Sequence, residues 1–317
     1  MNKKIIILDG YTLNPGDLNW EPFREFGELT VYDYTAKNEI LARAKQAEIV
    51  FTNKTPLSQS VLNSLPKLHY IGVLATGYDL IDIEAAREKR VTVTNIPAYG
   101  TESVAQMVFA HILNFTQRVE FHSQLVKHGE WSKINDFCFW RSPLKELAGA
   151  TLGIIGYGRI GRKVADIAKA FDMKVIVYDK KEQQDKSISF RSLKEVFQQS
   201  DFLSLHIPLT SKTKHLVNKE TLNLMKPSAF LINTSRGQLI NQADLIAALD
   251  KKAIAGAGLD VLETEPPPKD NPLFQVKNCF ITPHIAWATF QARKRLMDMA
   301  FNNLKSFLTG NPINVVN

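Results

Sequence analysis

The chain has 317 residues, of which 44% are hydrophobic and 22% charged, an ordinary composition for a globular protein. This length exceeds one ordinary core and predicts two domains, with a single large barrel as the alternative. The formal net charge is +7, but the basic runs are short and scattered, and a nucleic-acid-binding face requires clustered cations. We therefore expect no nucleic-acid partner.

The cysteine pattern argues against a zinc protein, and the N-terminal sequence argues against a secreted protein. Cys138 and Cys279 are the two cysteines, and neither has a spacing typical of a zinc site. We expect no metal. The apolar run after Lys3-Lys4 ends at Asp9-Gly10, too early for a signal peptide, and no window approaches the length of a membrane span. These features favour a cytoplasmic, reduced protein with no membrane partner.

Short strand patterns alternate with helical patterns through the first hundred residues. Such alternation predicts crossover units and a parallel sheet. Strands are expected at 4–8, 29–32, 48–51, 70–73 and 91–94. Helices are expected at 36–45, 58–62 and 82–89.

One long helix is predicted over residues 101–129, capped by Thr101 or Ser103 and ended by Gly129. An irregular segment, residues 131–143, follows it and is rich in large aromatic side chains: Trp131, Phe137, Phe139 and Trp140. We expect these side chains to be buried, either against their own domain or against a partner subunit. We favour the subunit interface, and hence a homodimer.

The alternation restarts at Thr151. Further strands are expected at 151–155, 174–178, 202–206, 229–233, 253–259 and 279–282. Further helices are expected at 159–170, 193–199, 242–250 and 289–308. Two such series predict an α/β protein with two Rossmann-like, doubly wound parallel-sheet domains. We expect one domain to be discontinuous, at 1–98 and 289–317, and the other to span 99–288.

A glycine-rich motif follows the strand predicted at 151–155 and opens the next helix. It reads Gly156-Tyr157-Gly158-Arg159-Ile160-Gly161. The first glycine permits the tight turn, the second lets the backbone approach a pyrophosphate, and the third lets helix and strand pack closely. The next predicted strand ends at Asp179, whose carboxylate can accept both ribose hydroxyls and repels a 2′-phosphate. The motif therefore favours NAD, although Lys180-Lys181 leave NADP open.

Three later segments end or follow predicted strands. They are Asn233-Thr234-Ser235-Arg236-Gly237, Gly258-Leu259-Asp260-Val261 with Glu263-Thr264-Glu265-Pro266, and Thr282-Pro283-His284-Ile285-Ala286-Trp287-Ala288-Thr289. With these segments the chain resembles the D-isomer-specific 2-hydroxyacid dehydrogenase family over nearly its whole length. Within that family it is most similar to the glycerate dehydrogenase, or hydroxypyruvate reductase, branch.

The resemblance implies an enzyme that transfers a hydride between NADH and C2 of a small 2-oxo acid. It also implies that residues 99–288 form the NAD-binding domain, that residues 1–98 and 289–317 form the substrate domain, and that the active site lies in the cleft between them. Arg236 matches the arginine that holds the substrate, His284 the acid/base histidine, and Glu265 its acidic partner. Reduction of a 2-oxo acid requires the same residue types. A histidine can donate a proton because it titrates near neutral pH, a neighbouring carboxylate favours the imidazolium, and a guanidinium binds the substrate carboxylate. Glyoxylate, D-lactate and 3-phosphoglycerate dehydrogenases of the family remain alternatives, as does a non-catalytic NAD(H)-sensing protein like the corepressors that share the fold.

The remaining roles also follow from the resemblance. Cofactor neighbours are expected at His206, Pro208, Thr213, Thr234, Ser235 and Asp260, the last near the nicotinamide carboxamide. The substrate carboxylate is expected on the backbone amides of Ala75, Thr76 and Gly77. Trp287 is expected to line the substrate pocket beside Arg236 and His284.

Overall fold

The computed structural model describes residues 3–181 and 188–317, so residues 1–2 and 182–187 of the expected domains lie outside it. The chain divides into two compact units, Met1–Gly100 with Ala288–Asn317, and Thr101–Trp287. Each unit is built on a parallel sheet with helical connections, which confirms the predicted fold class. No helix within the described ranges is long and apolar enough to cross a membrane.

The first unit contains a five-stranded sheet in the order β2-β1-β3-β4-β5, and every pairing is parallel. Its elements are β1 (Lys3–Ile7), β2 (Gly27–Val31), β3 (Ile49–Thr52), β4 (Tyr70–Val73), β5 (Thr92–Thr94), α1 (Ile40–Ala44), α2 (Gln59–Asn63) and α3 (Ile83–Glu88). The neighbouring inner strands β3 and β4 are buried along their whole length. Continuous apolar runs are what a parallel strand covered on both faces requires.

The C-terminal helix (Phe290–Leu308) belongs to this first unit. Its aromatic side chains pack against this unit: Phe307 lies on Tyr70 of β4 with ring centroids 4.9 Å apart, and Phe301 meets Phe23, in the 3-10 turn before β2, edge to face at 5.7 Å. The Tyr70 hydroxyl is hydrogen-bonded to Thr94 Oγ1 at 2.7 Å. These contacts explain why a helix so far along the chain from β5 completes the same core.

The second unit contains a seven-stranded parallel sheet in the order β12-β11-β10-β9-β6-β7-β8. Its strands are β6 (Thr151–Ile155), β7 (Lys174–Tyr178), β8 (Ser189–Phe190), β9 (Phe202–Leu205), β10 (Phe230–Asn233), β11 (Gly256–Leu259) and β12 (Cys279–Ile281). Its helices are α4 (Thr101–Gln117), α5 (Val119–Lys127), α6 (Arg159–Ala170), α7 (Leu193–Gln199), α8 (Lys219–Leu222) and α9 (Gln242–Asp250). The strand order reverses at β6, which pairs with β7 on one side and β9 on the other.

The single helix predicted over 101–129 is wrong, because the structure has two helices there. Arg118 separates α4 from α5 and adopts a left-handed conformation, with φ 47°. The backbone N–H of Lys145 donates to the carbonyl of Thr116, and the Gln117 side chain donates to the carbonyl of Lys145. A distant segment therefore satisfies the end of α4 in place of another helical turn.

The aromatic segment, residues 131–143, begins with one short 3-10 turn and is otherwise irregular. Phe137 is 88% exposed and Trp140 63% exposed, and Trp131 is also exposed. Packing of these three side chains against their own domain, one of the two expected arrangements, is therefore wrong.

Candidate active site

The three segments that were singled out by sequence follow three neighbouring strands. Parallel register pairs Asn233, at the end of β10, with Leu259 of β11, and Leu259 with Ile281 of β12. Because the carboxyl ends of parallel strands meet at one edge of the sheet, the loops that follow these strands lie side by side. This edge brings together the segments that carry Arg236, Glu265 and His284.

Glu265 and His284 form a direct hydrogen bond, with 2.6 Å between Glu265 Oε2 and His284 Nδ1. An ionised carboxylate only accepts hydrogen bonds, so Nδ1 is the donor and Nε2 is left for another partner. The second oxygen of Glu265 accepts the backbone N–H of Leu262 at 3.0 Å, which fixes the carboxylate. The His284 side chain keeps 30% of its surface exposed, so a substrate can reach it.

The backbone around His284 is held by Asp260. His284 has φ +55°, a left-handed conformation that non-glycine residues seldom adopt. Its N–H donates to the Asp260 carbonyl at 2.8 Å, and the Asp260 carboxylate accepts the N–H groups of Ile285 and Ala286. Asp260 is only 1% exposed. Asp260 was expected beside the cofactor, and no sequence signal pointed to these contacts with the loop of His284.

Arg236 lies on the surface of the same edge. One of its N–H groups donates to the Ser235 carbonyl at 2.8 Å, and a guanidinium has further donors for an acidic ligand. Gly237 fixes the path of this loop, because a Cβ there would lie 1.9 Å from the carbonyl carbon of Leu262. The loop of Arg236 therefore lies directly against the backbone that leads to Glu265.

The glycine motif has the geometry of a dinucleotide loop. Gly156 has φ +99°, and a Cβ there would lie 2.4 Å from the His206 carbonyl oxygen. A Cβ on Gly161 would lie 2.1 Å from the Gly156 carbonyl oxygen, so α6 packs closely on β6. Gly158 differs from both, because a Cβ there would meet no atom within 4 Å. The open side of Gly158 is where the motif requires a pyrophosphate to approach.

Arg159 and Ile160 form the first turn of α6, directly after Gly158. The N–H groups of such a turn have no helical partner and attract phosphate.

Asp179 follows β7 and contacts the glycine motif. Its carboxylate accepts the backbone N–H of Tyr157 at 2.6 Å and that of Lys181 at 2.9 Å. Each oxygen has room for a second hydrogen bond, since a carboxylate offers about four acceptor sites. The carboxylate is thus held beside the pyrophosphate loop with acceptor capacity left over.

Two buried polar atoms in this region have no hydrogen-bond partner among the described residues, His206 Nδ1 and Thr234 Oγ1. Buried polar groups are normally paired, so these two fit a site that a ligand completes. The other ring nitrogen of His206 contacts Ser204 Oγ at 2.8 Å. Burial lowers the pKa of His206 to about 3, so its imidazole is neutral near pH 7. The residues present therefore fit a nicotinamide dinucleotide.

Two expected cofactor hydroxyls are already used within the protein. Thr213 Oγ1 donates to the Pro208 carbonyl at 2.7 Å and accepts the N–H of Thr210. Ser235 Oγ donates to the Leu205 carbonyl at 2.6 Å. These hydroxyls shape the loops after β9 and β10, and a direct contact with the cofactor stays a prediction for both residues and for Pro208.

The expected carboxylate loop follows β4 in the first unit. The N–H groups of Ala75, Thr76 and Gly77 donate to no acceptor within the described part of the chain. The loop is held from behind, because Thr76 Oγ1 donates to the Ile96 carbonyl and the Asn95 side chain donates to the Thr76 carbonyl. Successive unpaired N–H groups can bind an anion.

Asp9, after β1, is an organising residue of this unit that sequence reasoning missed. Its buried carboxylate accepts the backbone N–H groups of Asn53, Lys54 and Thr55 at 2.6–2.7 Å. It thereby fixes the loop after β3, which neighbours the loop after β4 because the two strands pair.

Trp287, expected to line the substrate pocket, is half-buried and follows Ala286. The Ala286 carbonyl accepts the Ser103 hydroxyl at 2.6 Å, so α4 fixes the chain just before the tryptophan.

Comparison with known proteins decides the family. Residues 109–286 match the model of the D-isomer specific 2-hydroxyacid dehydrogenase, NAD binding domain. The chain belongs to the D-isomer-specific 2-hydroxyacid dehydrogenase family. It is accordingly an oxidoreductase with a nicotinamide-dinucleotide-binding domain.

Individual relatives match over almost the full chain. A hydroxypyruvate reductase from Blautia hydrogenotrophica is 48% identical over 320 residues, which cover 99% of both chains. A glycerate dehydrogenase from Methylorubrum extorquens is 38% identical over 100% of this chain and 99% of its own. The solved structure of an acyclic imino acid reductase in complex with NADPH and D-Arg has a TM-score of 0.86 and 32% identity, over 99% of this chain and 100% of its own.

Gly158→Ala tests whether the open side of the glycine motif is a ligand surface. Because the added Cβ meets no protein atom, the thermal midpoint should stay unchanged. Dissociation constants for NADH and NADPH should rise by about tenfold or more, since the methyl group occupies the space of the pyrophosphate. Differential scanning fluorimetry and fluorescence titration measure the two quantities. Unchanged affinity for both dinucleotides would contradict this assignment.

Proposed function

We propose that this protein reduces hydroxypyruvate to D-glycerate with NADH. The observation that carries the proposal is the hydrogen bond between Glu265 and His284 at 2.6 Å, which prepares an imidazole for proton transfer. The similarity to a hydroxypyruvate reductase and to a glycerate dehydrogenase supports the choice of substrate.

The substrate carboxylate is proposed to bind Arg236 and the N–H groups of Ala75, Thr76 and Gly77. The guanidinium provides charge-assisted hydrogen bonds, and the backbone amides add neutral ones. Trp287 is proposed to bound the pocket on the side of His284. Together these groups would orient the C2 carbonyl and exclude competing water.

The proton comes from His284 in this proposal. Residues 156–161 and Asp179 would hold NADH, which when bound would be the source of the hydride for C2. Negative charge develops on the carbonyl oxygen, and the protonated His284 gives it the proton on Nε2. Glu265 keeps Nδ1 protonated throughout and stabilises the imidazolium before transfer. In the oxidative direction His284 takes the proton back from the hydroxyl group.

His284→Gln should lower kcat for hydroxypyruvate by about 1000-fold, because general acid catalysis contributes roughly that factor. NADH affinity should stay close to that of the unsubstituted enzyme. NADH absorbance reports turnover with hydroxypyruvate, glyoxylate, pyruvate and phosphohydroxypyruvate in parallel, and hydroxypyruvate should have the highest kcat/KM.

A second histidine–glutamate pair offers the matched control. His215 Nε2 lies 3.1 Å from Glu263 Oε1 in the same unit, with similar exposure. His215→Gln should leave kcat nearly unchanged. Equal losses in the two variants, or retained turnover in His284→Gln, would contradict the proposed acid. A higher kcat/KM for another 2-oxo acid would leave the proposed mechanism in place and change the proposed substrate.

We also propose a preference for NADH over NADPH, set by Asp179. Asp179→Asn removes the negative charge but keeps one acceptor for the N–H of Tyr157. The ratio of kcat/KM for NADPH over NADH should rise about fivefold, since a hydrogen bond to a charged group exceeds a neutral one by roughly 1 kcal/mol. Asp172→Asn, at an exposed carboxylate of the same unit, is the control. An unchanged ratio would remove Asp179 from the ribose site.

A homodimer built largely on residues 101–143 is proposed as well. Phe137 and Trp140 are large apolar side chains left in solvent, and such aromatics are enriched at protein interfaces. Phe137→Ser with Trp140→Ser should convert a dimer to a monomer in light scattering. Phe274→Ser, at an exposed aromatic elsewhere in the unit, should leave the dimer intact. A monomeric unsubstituted protein would refute the proposal.

A further inference from the structure

His111 is a buried histidine for which the proposed reaction has no use. It lies in α4, is 4% exposed, and packs directly against β11. A Cβ on Gly258 would lie 2.8 Å from the imidazole, so the strand needs glycine there to admit the ring. The polar neighbour of the ring is Thr282, with 3.4 Å between His111 Nε2 and Thr282 Oγ1. A buried polar ring placed this closely calls for an explanation.

The direction of the hydrogen bonds follows from the acceptors. Thr282 Oγ1 lies 2.6 Å from Asp260 Oδ1, and a carboxylate accepts, so the threonine hydroxyl donates to it. Burial lowers the pKa of His111 although the charge of Asp260 opposes the shift, so the ring is neutral near pH 7. With its proton given to Asp260, Thr282 can only accept from His111 Nε2–H. The bonds therefore run from His111 through Thr282 to Asp260.

Asp260 uses its other contacts to hold the chain at His284 and directly after it. Its carbonyl accepts the N–H of His284, and its carboxylate accepts the N–H groups of Ile285 and Ala286 at 2.9 and 2.8 Å. His284 needs this support, because left-handed non-glycine residues persist only where their surroundings determine them. The orientation of the imidazole towards Glu265 depends on this backbone.

We propose that Thr282 and His111 are positioning residues for His284, which they serve by fixing the carboxylate of Asp260 beneath the histidine loop. The inference rests on the proposed role of His284 as the proton donor. If Asp260 instead served as a cofactor contact, substitution of Thr282 or His111 would change the affinity for the dinucleotide. If the two residues position His284, their substitution lowers kcat for the 2-oxo acid.

The test compares Thr282→Val with Thr282→Ser. Valine keeps the shape of threonine but leaves Asp260 without its hydroxyl donor, and a displacement of about 1 Å in a reacting group costs up to roughly 100-fold. We expect kcat to fall about 10- to 100-fold, with the dissociation constant of NADH unchanged. Serine restores the hydroxyl and should restore most of kcat.

The second pair of variants is His111→Leu and His111→Gln. Leucine removes the donor and should lower kcat about fivefold, the scale of one neutral hydrogen bond. Glutamine can present an N–H near the position of Nε2 and should recover activity. Thr116→Val is the matched control, because it removes a buried hydroxyl of α4 that donates to the Ile112 carbonyl and has no link to Asp260. Its kcat should not change.

Each outcome separates the two proposals. If Thr282→Val keeps its kcat while His284→Gln loses turnover, the positioning role is overturned and the proposed function stands. If Thr282→Val weakens NADH binding as much as it lowers kcat, Asp260 serves the cofactor and the positioning role is also overturned. If His284→Gln retains turnover, the proposed proton donor fails, and the positioning role fails with it.

Discussion

The parallel pairing of β10, β11 and β12 is the constraint on which the site depends. Their register sets Asn233, Leu259 and Ile281 side by side, so the loops that follow start from one edge. Glu265 and His284, which are 19 residues apart in sequence, thereby meet in a direct hydrogen bond. Strand β6 leads into the glycine motif at the reversal of strand order, which is where open parallel sheets bind ligands.

Buried carboxylates fix the conformation of loops at this edge and in the first unit. Asp260 in the second unit and Asp9 in the first each accept several backbone N–H groups from a neighbouring loop. Charge-assisted hydrogen bonds of this kind are short and directional, so they hold a loop more firmly than neutral contacts do. In the second unit the loop held is that of His284, whose left-handed backbone is otherwise unfavourable.

The sequence predicted what depends on local spacing. Apolar runs, and the glycine or polar residues that end them, predict the glycine motif at 156–161 and the position of His284 after a strand. The structure has both where expected. The break at Arg118 could not be predicted, because no glycine or proline marks it and Lys145 supplies the competing hydrogen bond. The contacts of His111 were equally hidden, since periodicity identifies a buried helix position but not its partner across the sheet.

Single-turnover reduction of hydroxypyruvate by Glu265→Gln with bound NADH tests the central claim, that Glu265 prepares His284 to donate its proton. Glutamine keeps the size of the side chain and removes the negative charge that favours the imidazolium. The account predicts a rate of NADH oxidation about 100-fold lower, within the range for general acid catalysis, and unchanged NADH affinity. A rate equal to that of the unsubstituted enzyme would contradict it.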